Sequence, residues 1–183
     1  MDLWLWILLI ALAVILVIYV FSLFNRFVRY ENAIDNAWAQ IDVQLQRRGE
    51  LIPNLVETVK GYAKHEKAAI DSVTQARAAM MGASSREGKM KAEGMLEQAL
   101  GKLFAIAEAY PDLKANTNFL SLQDELAHTE NKVAYSRQAY NDTVLRYNNA
   151  IETFPAKFFA GSRTEKPMLA VPEASKAVPK VAF

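Results

Sequence analysis

An uninterrupted apolar run near the amino terminus limits most strongly what this chain can fold into. From Leu3 to Phe24 the sequence carries no charged residue, and Ser22 interrupts an otherwise apolar and aromatic stretch. At a helical rise of about 1.5 Å per residue the run extends roughly 33 Å, enough to cross a hydrocarbon layer of about 30 Å. A helix also pairs its backbone groups internally, as hydrocarbon requires. Residues 1–25 are therefore predicted to form a transmembrane anchor.

The flanks of this run predict that the anchor is retained and how it is oriented. A secretory signal begins with basic residues and has a shorter apolar stretch and a small-x-small cleavage site. Here Asp2 replaces the basic start, the apolar run is too long, and Asn25, Arg26 and Phe27 follow it. Arg26 and Arg29 follow the run. The positive-inside rule then predicts a single-pass protein of the cytoplasmic membrane, with its amino terminus outside and the rest of the chain in the cytoplasm. The residues predicted to contact the lipid bilayer or its surface are Leu3, Trp4, Trp6, Tyr19, Phe24, Arg26 and Arg29.

The charge balance and the amino-acid usage exclude several functions. Lys and Arg total 21 against 20 Asp and Glu, so no broad positive field steers nucleic acid to the protein. The chain has no cysteine, which excludes disulfides, thiol nucleophiles and thiolate-metal sites. Neither nucleic acid nor a small-molecule substrate is expected as a partner.

Apolar residues recur every three or four positions through the middle of the chain, which predicts amphipathic helices. The periodicity places them at about 30–48, 52–81 and 89–110, and a fourth from Asn116 or Thr117 to Phe154. Gly49 and Pro53 bracket a predicted break between the first two, and the alternative is one long helix kinked at Pro53. The predicted fold is all-α: a transmembrane helix followed by an antiparallel bundle of about four long helices in residues 26–154.

Residues 155–183 form a proline-rich, basic tail. The segment holds four of the six prolines, with five basic and two acidic residues, and is predicted to be extended or disordered because proline prevents regular helical hydrogen bonding. Its apolar side chains offer an alternative, docking on the bundle or on a neighbouring subunit. They are Phe158, Phe159, Met168, Leu169, Val171, Val178, Val181 and Phe183.

The two histidines do not stand in catalytic or metal-binding patterns. His65-Glu66 begins like a helical zinc-protease motif, but Ala69 stands where the second histidine is needed. Glu125 and His128 have the spacing of one half of a dinuclear carboxylate site, yet no second pair exists. The chain is therefore predicted to be non-enzymatic, with no cofactor and no metal.

Several strings in the predicted bundle resemble the bacterial LemA family. They are DNAWAQIDVQL at 35–45, Arg47-Arg48, LIPNLVETVKGY at 51–62, YPDLKAN at 110–116, Tyr140-Asn141, Tyr147-Asn148 and Phe154-Pro155. The resemblance covers about 30–160 and implies a short exterior amino terminus, one span in the bacterial inner membrane and a cytoplasmic helical bundle. It implies no settled reaction. The tail departs from the family pattern, since Gly161-Ser162-Arg163 and Phe183 replace a Gly-Phe element and an aromatic-acid ending.

These features predict a scaffold or adaptor that self-associates as a homo-oligomer, docks another membrane protein, or does both. The predicted interaction surface is a polar tip where the first two bundle helices turn. Its residues are Trp38, Arg47, Arg48, Glu50, Pro53, Asn54 and Glu57. An alternative is an effector that organises lipid at the membrane surface through Arg26, Arg29 and the basic tail. A metal enzyme at Glu125 and His128 is a remote alternative.

Overall fold

A computed structural model describes residues 3–170 of the chain. Its helices are α1 (Leu3–Tyr62), α2 (Lys67–Gly82), α3 (Arg86–Ala107), α4 (Pro111–Lys114) and α5 (Thr117–Glu152), followed by a 3-10 turn at Ala156–Phe159. No strand occurs in residues 3–170. The all-α prediction is confirmed, and four long helices form the bundle.

Helix α1 is continuous through Gly49 and Pro53, so the predicted break there is wrong and the alternative of one long helix is correct. Proline in a helix interior costs about 3 kcal/mol relative to alanine because it lacks the N–H that bonds the carbonyl four residues earlier. That carbonyl belongs to Gly49, and the Nε of Arg77 in α2 donates to it at 2.6 Å. Gly49 itself is buried against Met80 and Met81. The Gly-Pro pair therefore marks a helix-helix contact, not a turn.

The chain divides into two compact units that share α1 and α5. Unit 1 comprises Met1–Trp38 and Gln138–Met168, and unit 2 comprises Ala39–Arg137 and Leu169–Phe183. Unit 1 contains the segment predicted as a membrane anchor, together with the first turns of the bundle and the end of α5.

In unit 2 the helices alternate in direction. Asp42 pairs with Lys89, and Arg48 pairs with Glu93, so α1 and α3 run in the same direction. The Arg77 bond to Gly49 shows α2 running the opposite way. Helix α5 is also antiparallel to α1, since its start lies beside the end of α1 and Glu130 lies near Arg48. The core is lined by Ile41, Leu45, Ile52, Leu55, Val59, Val73, Met80, Leu96, Leu103, Leu113 and Val133.

The predicted helix ends in unit 2 are partly right. Asn116 caps α5 as expected, with its Oδ1 accepting from the Phe119 amide at 3.0 Å. Helix α3 begins at Arg86, earlier than predicted, because the Ser85 hydroxyl accepts from the Gly88 amide and so caps its first turn. Pro111 begins the short α4, where its missing N–H costs nothing.

In unit 1 the end of α5 and the segment after it pack on α1. The rings of Trp38 and Tyr140 meet edge to face at 6.2 Å between centroids. Asn148 exchanges two hydrogen bonds with the backbone of Lys166. The chain from Pro155 to Met168 is thus tied to this unit by polar contacts, whereas Phe158 and Met168, two of the apolar side chains predicted to dock, are exposed. The predictions for Val171, Val178, Val181 and Phe183 lie outside the described residues.

Candidate interaction surface

The apolar run forms the first six turns of α1 and leaves nearly all of its side chains exposed. It belongs to the one helix in residues 3–170 that is long and apolar enough to cross a membrane, and only 6% of its most apolar 18-residue window is buried. A core helix of a soluble protein is mostly buried. The run is therefore a candidate membrane span. Leu23 is an exception, buried near the carboxyl end of the run, and Phe27 is buried one turn further along α1.

The predicted polar residues lie on a straight helix face and not at a turn. Arg47, Glu50, Asn54 and Glu57 are all exposed, and their spacing of three, four and three residues places them on one side of α1. We call these four residues the α1 face. Pro53 is exposed beside them. Trp38 is half-buried in unit 1, and the structure does not bring it to the α1 face.

Arg48 was predicted to belong to this surface, and that prediction is wrong. Its side chain is 1% exposed. Its Nη1 donates to Oε1 of Glu93 at 2.6 Å and its Nη2 to Oε2 of Glu130 at 3.4 Å. The apolar stripe of α1 contains the reason, since Arg48 falls between Leu45 and Ile52 at spacings of three and four residues. The residue therefore faces the core.

Glu93 completes a buried ion pair that sequence analysis did not identify. Burial raises the pKa of its carboxyl above the usual value, and the charge of Arg48 acts against this shift. Two nearby polar atoms, Oε1 of Gln44 and Nε of Arg48, are buried without a hydrogen-bond partner in the described structure. The available signal was a single charged residue on the apolar stripe of α3, flanked by Ala92 and Leu96.

A polar pocket adjoins the α1 face. It has a volume of about 390 Å³ and lies between α1 and α5, lined by Asn54, Glu57, Thr58, Asn118, Ser121 and Leu122. A second depression of about 300 Å³ is lined by Ala39, Gln40, Val43, Gln44 and Ser136. Val43 is exposed there. Both are open grooves lined by residues of α1 and α5, and each lining has polar and apolar members.

The histidines do not form part of a cluster. His65 and His128 are both exposed, as is Glu125. Within residues 3–170 no group of three or more His, Asp or Glu side chains is placed to hold a metal ion.

In unit 1 a second ion pair ties the segment after α5 to α1. Glu31 Oε1 accepts from Nε of Arg163 at 3.0 Å and from the Tyr147 hydroxyl at 3.3 Å. Burial and the Glu31 charge together raise the pKa of Tyr147, so it stays protonated as the donor. The Arg163 guanidinium also lies over the Phe24 and Phe27 rings, 5.7 and 5.2 Å from their centroids.

These elements define a helical-bundle protein whose first helix carries a candidate membrane span. The family model described as LemA family matches residues 37–183. The chain belongs to the LemA family, as the resemblance of its sequence indicated.

Three curated relatives are similar to this chain at low identity. Protein LemA of Metamycoplasma hominis is 25% identical over 131 residues, 71% of this chain and 60% of that protein. Magnetosome protein MamQ of Magnetospirillum gryphiswaldense is 25% identical over 174 residues, 79% of this chain and 64% of that protein. Magnetosome protein MamQ 2 of Paramagnetospirillum magneticum is 24% identical over 163 residues, 75% of this chain and 60% of that protein. The chain therefore spans about three-fifths of the length of these relatives, and none of their names denotes an enzyme.

Proposed function

We propose that this protein is a membrane-anchored, non-enzymatic scaffold that docks a second membrane protein through the α1 face. One observation carries the proposal: four exposed polar side chains lie in register on the helix that also carries the candidate span. Within residues 3–170 no hydrogen bond or ion pair engages the side chains of Arg47, Glu50, Asn54 or Glu57. A row of polar groups without intramolecular partners has its full hydrogen-bonding capacity available to another protein.

The charges on this face favour a different protein over a second copy of the chain. Because α1 is one helix from the span onward, two copies in the same membrane have α1 helices that run in the same direction. A symmetric parallel pair then sets Arg47 against Arg47 of the other copy, and Glu57 against Glu57. Like charges placed opposite one another are unfavourable. The complementary partner presents a carboxylate to Arg47 and cations to Glu50 and Glu57.

The names of the relatives support a structural role. Two of the three are named for the magnetosome, which is a structure and not a reaction. For this chain we infer the same general class, a component that organises other proteins at a membrane.

Site-specific photo-crosslinking in intact cells tests the docking. A photoreactive residue at Asn54 is expected to form an adduct with a different protein that fractionates with membranes. The reverse-charge change Glu57→Lys is expected to reduce that adduct strongly, because it sets a cation against the cations of the partner. The matched control carries the photoreactive residue at Ser72, an exposed position on α2.

Three results count against the proposal. If the yield of adduct from position 72 equals the yield from position 54, the α1 face has no special role. An adduct that contains only this chain assigns the face to self-association. No adduct at Asn54 in growing cells removes the face as a docking site.

We also propose that the protein lies in the inner membrane with its amino terminus outside and its bundle in the cytoplasm. Arg26 and Arg29 support this orientation, since they follow the span directly. In the otherwise cysteine-free chain, a cysteine at Tyr135 is expected to react with a membrane-impermeant thiol reagent only after the cells are opened. Tyr135 is 74% exposed, so burial does not limit the reaction. Labelling in intact cells contradicts the orientation.

A further inference from the structure

Two phenylalanines that follow the end of α5 form an exposed aromatic pair in unit 1. Phe154 is 81% exposed and Phe158 is 78% exposed, and their rings meet edge to face with 5.8 Å between centroids. Ala156 and Ala160 on the same short segment are buried. The segment thus packs on its unit with small residues and turns its two large apolar rings outward. Contiguous exposed apolar side chains are a feature of membrane and protein interaction sites.

The register of α5 against α1 places this pair beside the end of the candidate span. Tyr140 contacts Trp38, and seven residues later Tyr147 bonds Glu31, seven residues before Trp38. The same antiparallel register brings Glu152, the last residue of α5, level with Arg26. The rings follow Glu152 and so reach the level of Phe24, where the apolar run ends.

Contacts of the segment that follows α5 independently place it at the level of Phe24. Arg163 lies over the rings of Phe24 and Phe27. Leu23 belongs to the apolar run yet is only 5% exposed. Arg163 and the two exposed rings all lie in the segment that follows α5, so the contact of Arg163 with Phe24 holds that segment at the last turn of the apolar run.

The charged groups near the pair are mixed and on balance basic. Arg26, Arg29 and Lys157 are exposed cations at this level, whereas Glu152 and Glu165 are exposed carboxylates that lie beside each other. Basic side chains at the surface of a membrane attract anionic headgroups. Aromatic rings favour the boundary between headgroups and acyl chains.

We propose that Phe154 and Phe158 insert into the interfacial layer of the bilayer that the span crosses. The protein would then touch the membrane at two points, the span and the aromatic pair, with Arg163 and Glu31 joining the second point to α1. This inference goes beyond the docking of a partner protein. It rests only on the anchoring part of the proposed function.

Nitroxide accessibility in the full chain, reconstituted in phosphatidylcholine vesicles containing phosphatidylglycerol, tests the insertion. The chain has no cysteine, so Phe158→Cys and, separately, Phe154→Cys each introduce one labelling site. Both labels are expected to collide with dissolved oxygen several-fold more, relative to a water-soluble nickel chelate, than a label at Tyr135→Cys. Tyr135 is the matched control, an exposed aromatic residue on α5. A label at Ile10→Cys reports on the span.

Each outcome decides the inference. Oxygen preference at 154 and 158 together with Ile10 supports it. Nickel accessibility at 154 and 158 equal to that at Tyr135, with Ile10 shielded, overturns the insertion and leaves the anchor intact. Shielding of 154 and 158 from both reagents assigns the rings to a protein contact and also overturns it. Nickel accessibility at Ile10 overturns the anchor and the insertion together.

Discussion

Replacing Arg48 with alanine is expected to lower the free energy of unfolding by about 3–5 kcal/mol, since removing one member of a buried ion pair leaves an uncompensated charge. Glu93 bears that cost, because it is 3% exposed and burial already raises its pKa. Glu130 contributes little, as its side chain is 49% exposed. Denaturant titration of the purified protein in detergent micelles, followed by circular dichroism, measures the loss.

Two controls separate the buried charge from general damage. Arg47→Ala removes an exposed arginine next in sequence and is expected to change stability by less than about 0.5 kcal/mol. The double variant Arg48→Met with Glu93→Leu removes both charges and is expected to recover most of the loss, because a well-packed apolar pair often equals a buried ion pair. If the double variant is as unstable as Arg48→Ala, the cost lies in packing and the electrostatic explanation is wrong.

Removing the Arg77 side chain is expected to destabilise the protein by about 1–3 kcal/mol, and changing Pro53 to alanine is expected to reduce that loss. The Gly49 carbonyl is buried, and Pro53 cannot donate to it, so Arg77→Ala leaves a buried acceptor without a partner. Alanine at position 53 restores the missing amide. A double-mutant cycle of Arg77→Ala and Pro53→Ala measures the coupling, expected to be about 1 kcal/mol.

The cycle has its own internal reference. Thr58→Ala removes another side-chain hydrogen bond to a carbonyl of α1, that of Asn54. The missing N–H of Pro53 would bond the Gly49 carbonyl, so it does not concern the Asn54 carbonyl. Its effect is expected to be independent of Pro53→Ala. Strict additivity of Arg77→Ala and Pro53→Ala contradicts the role of Arg77 as the substitute donor.

The features predicted correctly from sequence are those that neighbouring residues determine. The apolar run, the periodicity of the bundle helices and the Asn116 cap each depend on residues a few positions apart. Such local patterns are strong because the helix repeat places residues three and four apart on one face. The candidate span, the all-α class and the start of α5 were predicted in this way.

The errors arise where a distant residue changes the meaning of a local signal. Gly49 and Pro53 indicate a break by themselves. The hydrogen bond that allows the helix to continue comes from Arg77, 28 positions after Gly49. Arg48 was assigned to the surface because of its charge, although its place in the stripe points to the core. The cation over the Phe24 and Phe27 rings comes from Arg163, more than a hundred residues later. No pattern within α1 predicts that contact.

Because α1 is unbroken, the length of helix beyond the apolar run is also defined. From Phe24 the helix continues for 38 residues to Tyr62, a length of roughly 57 Å. Measured along the helix, Arg47 to Glu57 stand about 35–50 Å beyond the end of the apolar run. Along α1, the proposed docking residues are therefore separated from the apolar run by about six to nine helical turns. A partner that contacted both the run and the α1 face would have to extend along that whole length of helix.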